Sequence, residues 1–408
     1  MSSITISRAP YQLSGRLYTP EAPTTNYSPA IIIVPPSNAV KEQFPSTYAR
    51  LLSRRPHNFY TVCYDPSNFG ASGGNPRYLE DPNARVADVS AVVDYLMKEV
   101  RRVDKQKITV VGFCSGGGYA VAAAKKDWRI KAVATVSLVN IGDLFRIGWE
   151  GREPVRKHTE TMKNVGEERR KELRIMMRPV SSSSSVSGMS ITGVTLGNGL
   201  PSTPIVDRDA RRRSVTPTTF ENGLPSTPVV DRDARRKSMT PTTFENLNYR
   251  RPSTPTSPGF HKDLYSTPEE EEMGKVIPFL QPTSEKSHVD LQELTEYYTT
   301  PRAYHPRAEN KLLQQSLPLL LTFDAFDFVE TFLKVPVFCM IGGMAGSRWH
   351  TDRLDIMLRR GSQSGIRGVD RMVVVEGVGH VDFFDGFEEI DRVVGDIGAW
   401  MREKLAKL

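Results

Sequence analysis

Two potential nucleophiles, Cys114 and Ser115, lie side by side in "VVGFCSGGGYA" (residues 111–121), where an apolar stretch runs into a cluster of glycines. An apolar strand, then Gly-x-nucleophile-x-Gly, then a small-residue helix makes a strained turn that lifts one side chain above a sheet. Such a turn requires very small residues two positions before and two after that side chain. Around Cys114 these are Gly112 and Gly116, whereas around Ser115 they are Phe113 and Gly117. Phe113 does not fit. Cys114 is therefore the predicted nucleophile, and Ser115, as the residue after it, is predicted to lend its backbone N–H to an oxyanion hole. A helix starting directly afterwards would set its positive end beneath the sulfur and draw the thiol pKa from about 8.5 toward neutrality. The bland alternative is a glycine-rich turn around an inert, buried thiol.

Acyl-transfer chemistry at a thiol needs further groups. A second oxyanion donor is expected in the loop "VPPSNAVKE" (34–42), where Pro35 and Pro36 have no N–H and the backbone near Ser37 or Asn38 is the natural source. Of the seven histidines, only His380, in "EGVGHVDFFD", falls between a last strand and a final helix, which is where this chain order puts the base. His57, His158, His261, His288, His305 and His350 fall in polar turns, charged segments or loops, where histidine is more often structural. The acid is less defined. Asp352 is the first carboxylate after "GGMAGSRWHT", in the segment following the penultimate strand, but it also reads as a helix start. Asp143 and Asn140, in "NIGDLF", are the alternatives, since Asn can orient a histidine in cysteine enzymes without carrying charge.

The elements that must position these groups are regular. "AIIIVPPS" (30–37), "FYTVCYD" (59–65), "KITVVGF" (107–113), "KAVATVSLV" (131–139), "VPVFCMIGG" (335–343) and "RMVVVEGVGH" (371–380) are short, β-branched and nearly continuously apolar. Strands buried on both faces of a parallel sheet read this way. Helical patterns at 85–102, 117–126 and 388–408 lie among them. The fold class predicted is α/β, a doubly wound and mostly parallel sheet.

One tract breaks the alternation. "NGLPSTPIVDRDARRRSVTPTTFE" (198–221) is repeated at once as "NGLPSTPVVDRDARRKSMTPTTFE" (222–245), inside a Ser-, Thr-, Pro- and Arg-rich stretch at 178–262. Solenoid repeats need an apolar face to stack, and these isolated Leu, Val and Phe residues supply none. The tract is predicted to be a disordered insertion, with Ser214 and Ser238 in basic contexts that suit phosphorylation. The layout expected is a core over 1–149, a first cap piece over 150–177, the insertion over 178–262, a second cap piece over 263–334 and the rest of the core over 335–408. Within the second cap piece, "KLLQQSLPLLLTFDAFDFVETFLK" (311–334) is too apolar all round for an exposed helix and suits a cover over an acyl chain.

Composition narrows the remaining classes. The 408 residues are 38% hydrophobic and 25% charged, enough for one sizeable core. The N-terminal stretch lacks the apolar heart of a signal peptide, and no run reaches the roughly 18 apolar residues of a spanning helix, so an intracellular chain without a membrane span is expected. Three cysteines, Cys63, Cys114 and Cys339, are too few for a disulfide framework and wrongly spaced for zinc; reduced thiols and no metal or cofactor are expected. The net charge of +7 is scattered and makes no basic, aromatic-interleaved stripe, so no nucleic-acid partner is expected. The final Ala406-Lys407-Leu408 matches a receptor-read peroxisomal signal, which makes the import receptor an expected partner and the peroxisome, ahead of the cytoplasm, the expected location.

In order and spacing, "GFCSGGGYA", "IKAVATVSLVNIG", "YYTTPRAYHPRAENK", "FDAF", "AGSRWHTDRL" and "GVGHVDFFD" resemble the α/β-hydrolases related to dienelactone hydrolase, in particular the fungal polyketide transferase and thiohydrolase family. The resemblance spans nearly everything outside 178–262. It implies an α/β-hydrolase fold, Cys114 at the elbow and His380 as base. It also implies a small-molecule acyl substrate, an acyl or polyketide thioester or ester of secondary metabolism, with a polyketide synthase as partner. The acid stays open among Asp352, Asp143 and Asn140. A cysteine-dependent hydrolase is the reading of first choice, with an acyl or polyketide transferase, or an inactive binding scaffold, as alternatives.

Overall fold

A computed structural model describes residues 1–22, 27–154, 158–176, 274–360 and 368–408. The tract at 178–262, with both repeats, His261, Ser214 and Ser238, lies outside the described residues. The described residues all belong to one compact unit.

Its main sheet has eight strands: β1 (Ser2–Arg8), β2 (Tyr11–Tyr18), β3 (Ser28–Val34), β4 (Tyr60–Tyr64), β5 (Val103–Phe113), β6 (Ile130–Val136), β9 (Val337–Gly342) and β10 (Arg371–Val375). A separate antiparallel pair joins β7 (Val276–Ile277) to β8 (Leu312–Leu313). The spatial order of the main sheet is β1-β2-β4-β3-β5-β6-β9-β10. All pairings from β4 onward are parallel, and β1 and β2 add an antiparallel edge. The parallel strands are those expected from their apolar runs. The β1–β2 hairpin was not expected, although Ile4, Ile6, Leu13 and Leu17 alternate with polar residues as a half-exposed edge should.

Along the central strands successive side chains enter opposite cores. Ile32, Val110, Val133 and Cys339 join one cluster; Ile31, Ile33, Val111, Phe113, Ala134 and Phe338 join the other. Helices α2 (Pro82–Glu99) and α3 (Ser115–Lys126) cover the first face, α1 (Phe44–Ser53) and the C-terminal helix the second. The remaining helices are α4 (Ile141–Ile147), α5 (His158–Met176), α6 (Val289–Thr299), α7 (Ser316–Thr322), α8 (Val329–Phe332), α9 (Arg348–Arg360), α10 (Asp382–Asp385) and α11 (Phe387–Leu405). None of the helices is long and apolar enough to cross a membrane, among the described residues.

The apolar segment at 311–334 is not one element. It breaks into β8, α7 and α8, because Asp324 turns the chain by accepting a bond from the Phe326 N–H (2.8 Å). Leu320, Ala325, Phe326, Val329 and Leu333 pack into the first core with Val110 and Ala120. Trp149 and, from α6, Leu294, Tyr297 and Tyr298 belong instead to the second core, which also contains Cys114.

Strand register fixes where the site must be. Val34 pairs with Gly112, Phe113 with Val136, Val136 with Met340, and Val375 with Gly342. The loops after β3, β5, β9 and β10 therefore emerge at one end of the sheet, the carboxyl end, where open α/β folds bind ligands. Ser37, Cys114, Ser347 and His380 all leave from that end.

Candidate active site

At Cys114 the backbone turns through φ 50° and ψ −124°, a strained conformation for a residue with a Cβ. Both its polar backbone groups are tied down: the N–H donates to Val136 O (3.0 Å) and the carbonyl accepts from Val139 N (2.9 Å) and Gly117 N (2.9 Å). A Cβ added at Gly112 would collide with the Gly116 carbonyl oxygen, and one at Gly116 with the Val34 carbonyl oxygen. Phe113 is fully buried against Phe44 (5.1 Å between ring centroids) and Tyr48 (4.4 Å). The strained residue is thus Cys114, and Ser115 opens α3.

The Ser115 backbone N–H and hydroxyl both pull the Cys114 thiol pKa downward. The hydroxyl also does something the sequence did not suggest, accepting the backbone N–H of Ser37 (2.8 Å) and meeting the Ser37 hydroxyl at 3.1 Å. Ser37 is thereby removed as the second oxyanion donor: its N–H is already committed, and its hydroxyl also reaches Glu80 Oε1 (3.0 Å). Glu80 is itself buried and accepts from Tyr119 (2.6 Å) and Arg85 (2.9 Å). The next residue, Asn38, has φ 68° and is 3% exposed, and both carboxamide atoms lack a partner among the described residues. On this loop Asn38 has hydrogen-bonding capacity to spare.

His380 is fully buried. Its N–H donates to Asp290 Oδ1 (3.1 Å) and its carbonyl accepts from Ser137 Oγ (3.3 Å). The ring lies between Trp149 (4.8 Å) and Phe384 (5.8 Å). Nδ1 meets Ser347 Oγ at 2.7 Å, and Nε2 has no partner among the described residues. Ser137 directly follows Val136, whose carbonyl holds the Cys114 N–H, so the two candidate catalytic residues hang from the ends of neighbouring loops.

None of the three expected acids reaches His380. Asp352 lies on α9, half-exposed, beside Arg348 (3.7 Å). It faces outward because the helix begins right after Ser347 and carries position 352 more than a turn away. Asn140 donates to Asp143 Oδ2 (3.0 Å) and Asp324 Oδ1 (2.6 Å). Arg353 and Arg146 close that cluster, Arg353 on Asp143 and Asp324 (2.8 Å to the latter) and Arg146 on Asp143 (2.7 Å). It fastens α4, α9 and the 323–326 loop together. The carboxylate that does approach is Asp290, at the start of α6 and fully buried. Besides the His380 N–H it accepts from Trp149 Nε1 (3.1 Å) and Gly346 N (2.8 Å). Sequence reasoning missed it because it is 90 positions from His380, in a charged stretch with no motif to mark it. Ser347 stood inside the segment searched for an acid, but the search was for a carboxylate.

Electrostatics separates the pair from a preformed ion pair. Burial pushes the Cys114 thiol up to about 12, with the Ser115 N–H pulling against it and the charge of Asp290 adding to the rise. Burial likewise drives His380 down to about 4, against the pull of Asp290. The expected drift of the thiol toward neutrality does not occur, since loss of water outweighs a helix terminus. Near neutral pH both groups are uncharged, so the proton must move as the sulfur attacks. No group of acidic, histidine or cysteine side chains suited to a metal occurs among the described residues.

A strained strand–turn–helix elbow and a histidine after the last strand, both at the carboxyl end of a mostly parallel sheet, define an α/β-hydrolase architecture. The comparisons agree: a model of the alpha/beta hydrolase family matches residues 31–393, and the chain belongs to that family. It is 30% identical over 388 residues to an uncharacterized protein of Escherichia coli, covering 95% of this chain and 92% of that one. It is 36% identical to a thiohydrolase of Eupenicillium brefeldianum over 114 residues, 28% of this chain and 36% of that one. With a polyketide transferase of a Penicillium species it shares 30% over 115 residues, 28% and 38% of the two chains. A hypothetical protein of Pseudomonas aeruginosa superposes with a TM-score of 0.64 at 21% identity, covering 99% of this chain and 93% of that one. The protein is an enzyme of hydrolase or acyltransferase type.

Proposed function

We propose that the enzyme forms an acyl-cysteine at Cys114 from an acyl or polyketide thioester or ester. The observation that carries this reading is the strained, glycine-flanked Cys114 at the same end of the sheet as a buried His380 whose Nε2 has no partner among the described residues. As the sulfur attacks the acyl carbon, the thiol proton passes to Nε2. The oxyanion takes the Ser115 N–H together with a donor from the loop carrying Asn38. Collapse expels the leaving thiol or alcohol, which recovers the proton from His380. Water, deprotonated by the same nitrogen, then releases the acid. Asp290 supplies the negative charge that steadies the imidazolium in both halves.

The names of the fungal relatives support a polyketide-type acyl group. Transfer to an alcohol or amine is the second reading, favoured by the aromatic side chains of Trp149, Tyr297, Tyr298 and Phe384 in the same core as Cys114. Intact mass after incubation with a panel of acyl thioesters tests the scheme. The protein should gain one acyl group in place of one hydrogen, and Cys114→Ala should gain none and lose turnover. Absence of any adduct on the native protein, or loading of Cys114→Ala, would overturn it. Product analysis with and without an acceptor then separates hydrolysis from transfer.

A further inference from the structure

We propose that Ser347 is the residue that orients His380: its hydroxyl oxygen accepts the Nδ1 proton and so keeps Nε2 free as the proton acceptor, in the loop after the penultimate strand where a carboxylate was sought. The inference rests on the acyl-cysteine reading above and gives that site its third member.

The assignment begins with the ring. A neutral imidazole carries one N–H, and only Nδ1 has a partner, Ser347 Oγ at 2.7 Å. A buried N–H left without an acceptor costs about 1–3 kcal/mol, and an unused lone pair is tolerated more readily. Either tautomer leaves one buried donor without a partner among the described residues, the Ser347 O–H with the proton on Nδ1 or the Nε2–H with it on Nε2; only the first leaves Nε2 able to take the thiol proton, so the proton is assigned to Nδ1 with Ser347 accepting it. The ring cannot easily turn away, because its backbone is held by Asp290 and Ser137, and Trp149 and Phe384 pack edge-on against it.

Ser347 is equally fixed. It is fully buried, and its carbonyl accepts the His350 N–H (3.1 Å) where α9 begins. The preceding Gly346 donates to Asp290 Oδ2 (2.8 Å) and is packed so tightly that a Cβ there would lie 2.8 Å from both Trp149 Cδ1 and His288 Nε2. One carboxylate thus holds both the base and the loop that orients it, while bonding the ring itself through neither oxygen.

A neutral orienting group suits a thiol. Sulfur gives up its proton far more readily than an alcohol does, so the base need not be strengthened by a carboxylate on Nδ1, and cysteine enzymes with an uncharged third residue follow the same logic. The charged or titratable groups that act on the ring are Asp290 and His288 from the α6 side and His350 on α9, with Arg353 acting on His350 in turn. Of these only Asp290 favours the imidazolium.

The test uses the full-length protein with a loading thioester, comparing Ser347→Ala and Ser347→Thr with the native enzyme. Ser347→Ala should lower kcat about 100-fold with KM changed less than about twofold, and Ser347→Thr, which keeps the hydroxyl, should recover all but roughly fivefold. Nitrogen-15 NMR of His380 should show the proton on Nδ1 in the native enzyme and on Nε2 in Ser347→Ala, a readout independent of turnover. A native proton on Nε2, or native kcat in Ser347→Ala while Cys114→Ala is dead, overturns the role of Ser347. Native turnover in Cys114→Ala overturns the reading beneath it.

Discussion

Cys114 is positioned almost entirely by backbone: a turn residue with both peptide groups bonded, glycines packed against neighbouring carbonyls on either side, and a strand and helix that are consecutive in sequence. His380, at the end of a neighbouring loop, is positioned by side chains from far away: Asp290 on α6, Ser347 before α9, Ser137 after β6 and Trp149 after α4. Local covalent geometry makes the nucleophile half rigid and leaves it little tolerance. The base half depends on tertiary assembly, and its parts can be changed singly with graded cost. That difference teaches where to expect collapse and where to expect tuning.

The largest effect should come from the rigid half. Gly116→Ala would force a Cβ into the Val34 carbonyl oxygen, a backbone atom that cannot step aside. We expect destabilisation of about 3 kcal/mol or more, read as a loss of soluble protein or a melting temperature lowered by several degrees. Native stability in Gly116→Ala would mean that the elbow is looser than its packing implies.

Next comes Asp290→Asn, which keeps the shape but removes the charge and turns an NH₂ toward one of three N–H donors, from His380, Trp149 or Gly346. The expected cost is about 100-fold or more in kcat, together with a lowered melting temperature. If turnover held while stability fell, Asp290 would be a strut for the cap and nothing else.

A smaller and continuous effect should appear with pH. The kcat/KM profile should lose activity only as pH falls through about 4, where His380 takes up its proton, and show no limb near 6.5. Stability should respond sooner. In the unfolded chain the histidine binds a proton near 6.5, while the buried ring resists it down to about 4, so stability intact above 6.5 declines as pH drops across that window. The full loss for this one group is about 3 kcal/mol. His350, buried and held well below the usual histidine range by loss of water, adds to the same decline. A melting temperature flat from pH 7 to 4 would contradict both burials.

The same contrast governs what could be read in advance. The parallel strands, the elbow and the choice of Cys114 over Ser115 as the turn residue were legible, because each depends on residues within a few positions of one another: Phe113 against Gly112, apolar runs against glycine clusters. The spent N–H of Ser37 was not, since it depends on which way the Ser115 hydroxyl points. Asp290 was invisible for a similar reason. Nothing near it in the chain distinguishes it from Asp352, and only the docking of α6 over the sheet end brings it to His380. The apolar stretch at 311–334 misled as a cover for the site because hydrophobicity reports burial without saying against which face.

The smallest effect is the sharpest check on that correction. Asp352 has the sequence position expected of an acid, yet it is half-exposed on α9, where its one ionic contact among the described residues is Arg348 at 3.7 Å. Exposed pairs at this spacing on a helix contribute a few tenths of a kcal/mol. Asp352→Asn should therefore leave kcat, KM and the pH profile as they are and shift the melting temperature by no more than about a degree or two. A kcat loss approaching that of Asp290→Asn would require α9 to turn by more than a third of a revolution during catalysis to bring the carboxylate inward. That would pull Ser347, joined to the start of the same helix, off the His380 ring, so Asp352 and Ser347 cannot both serve Nδ1, and comparing the two variants in one assay decides between them.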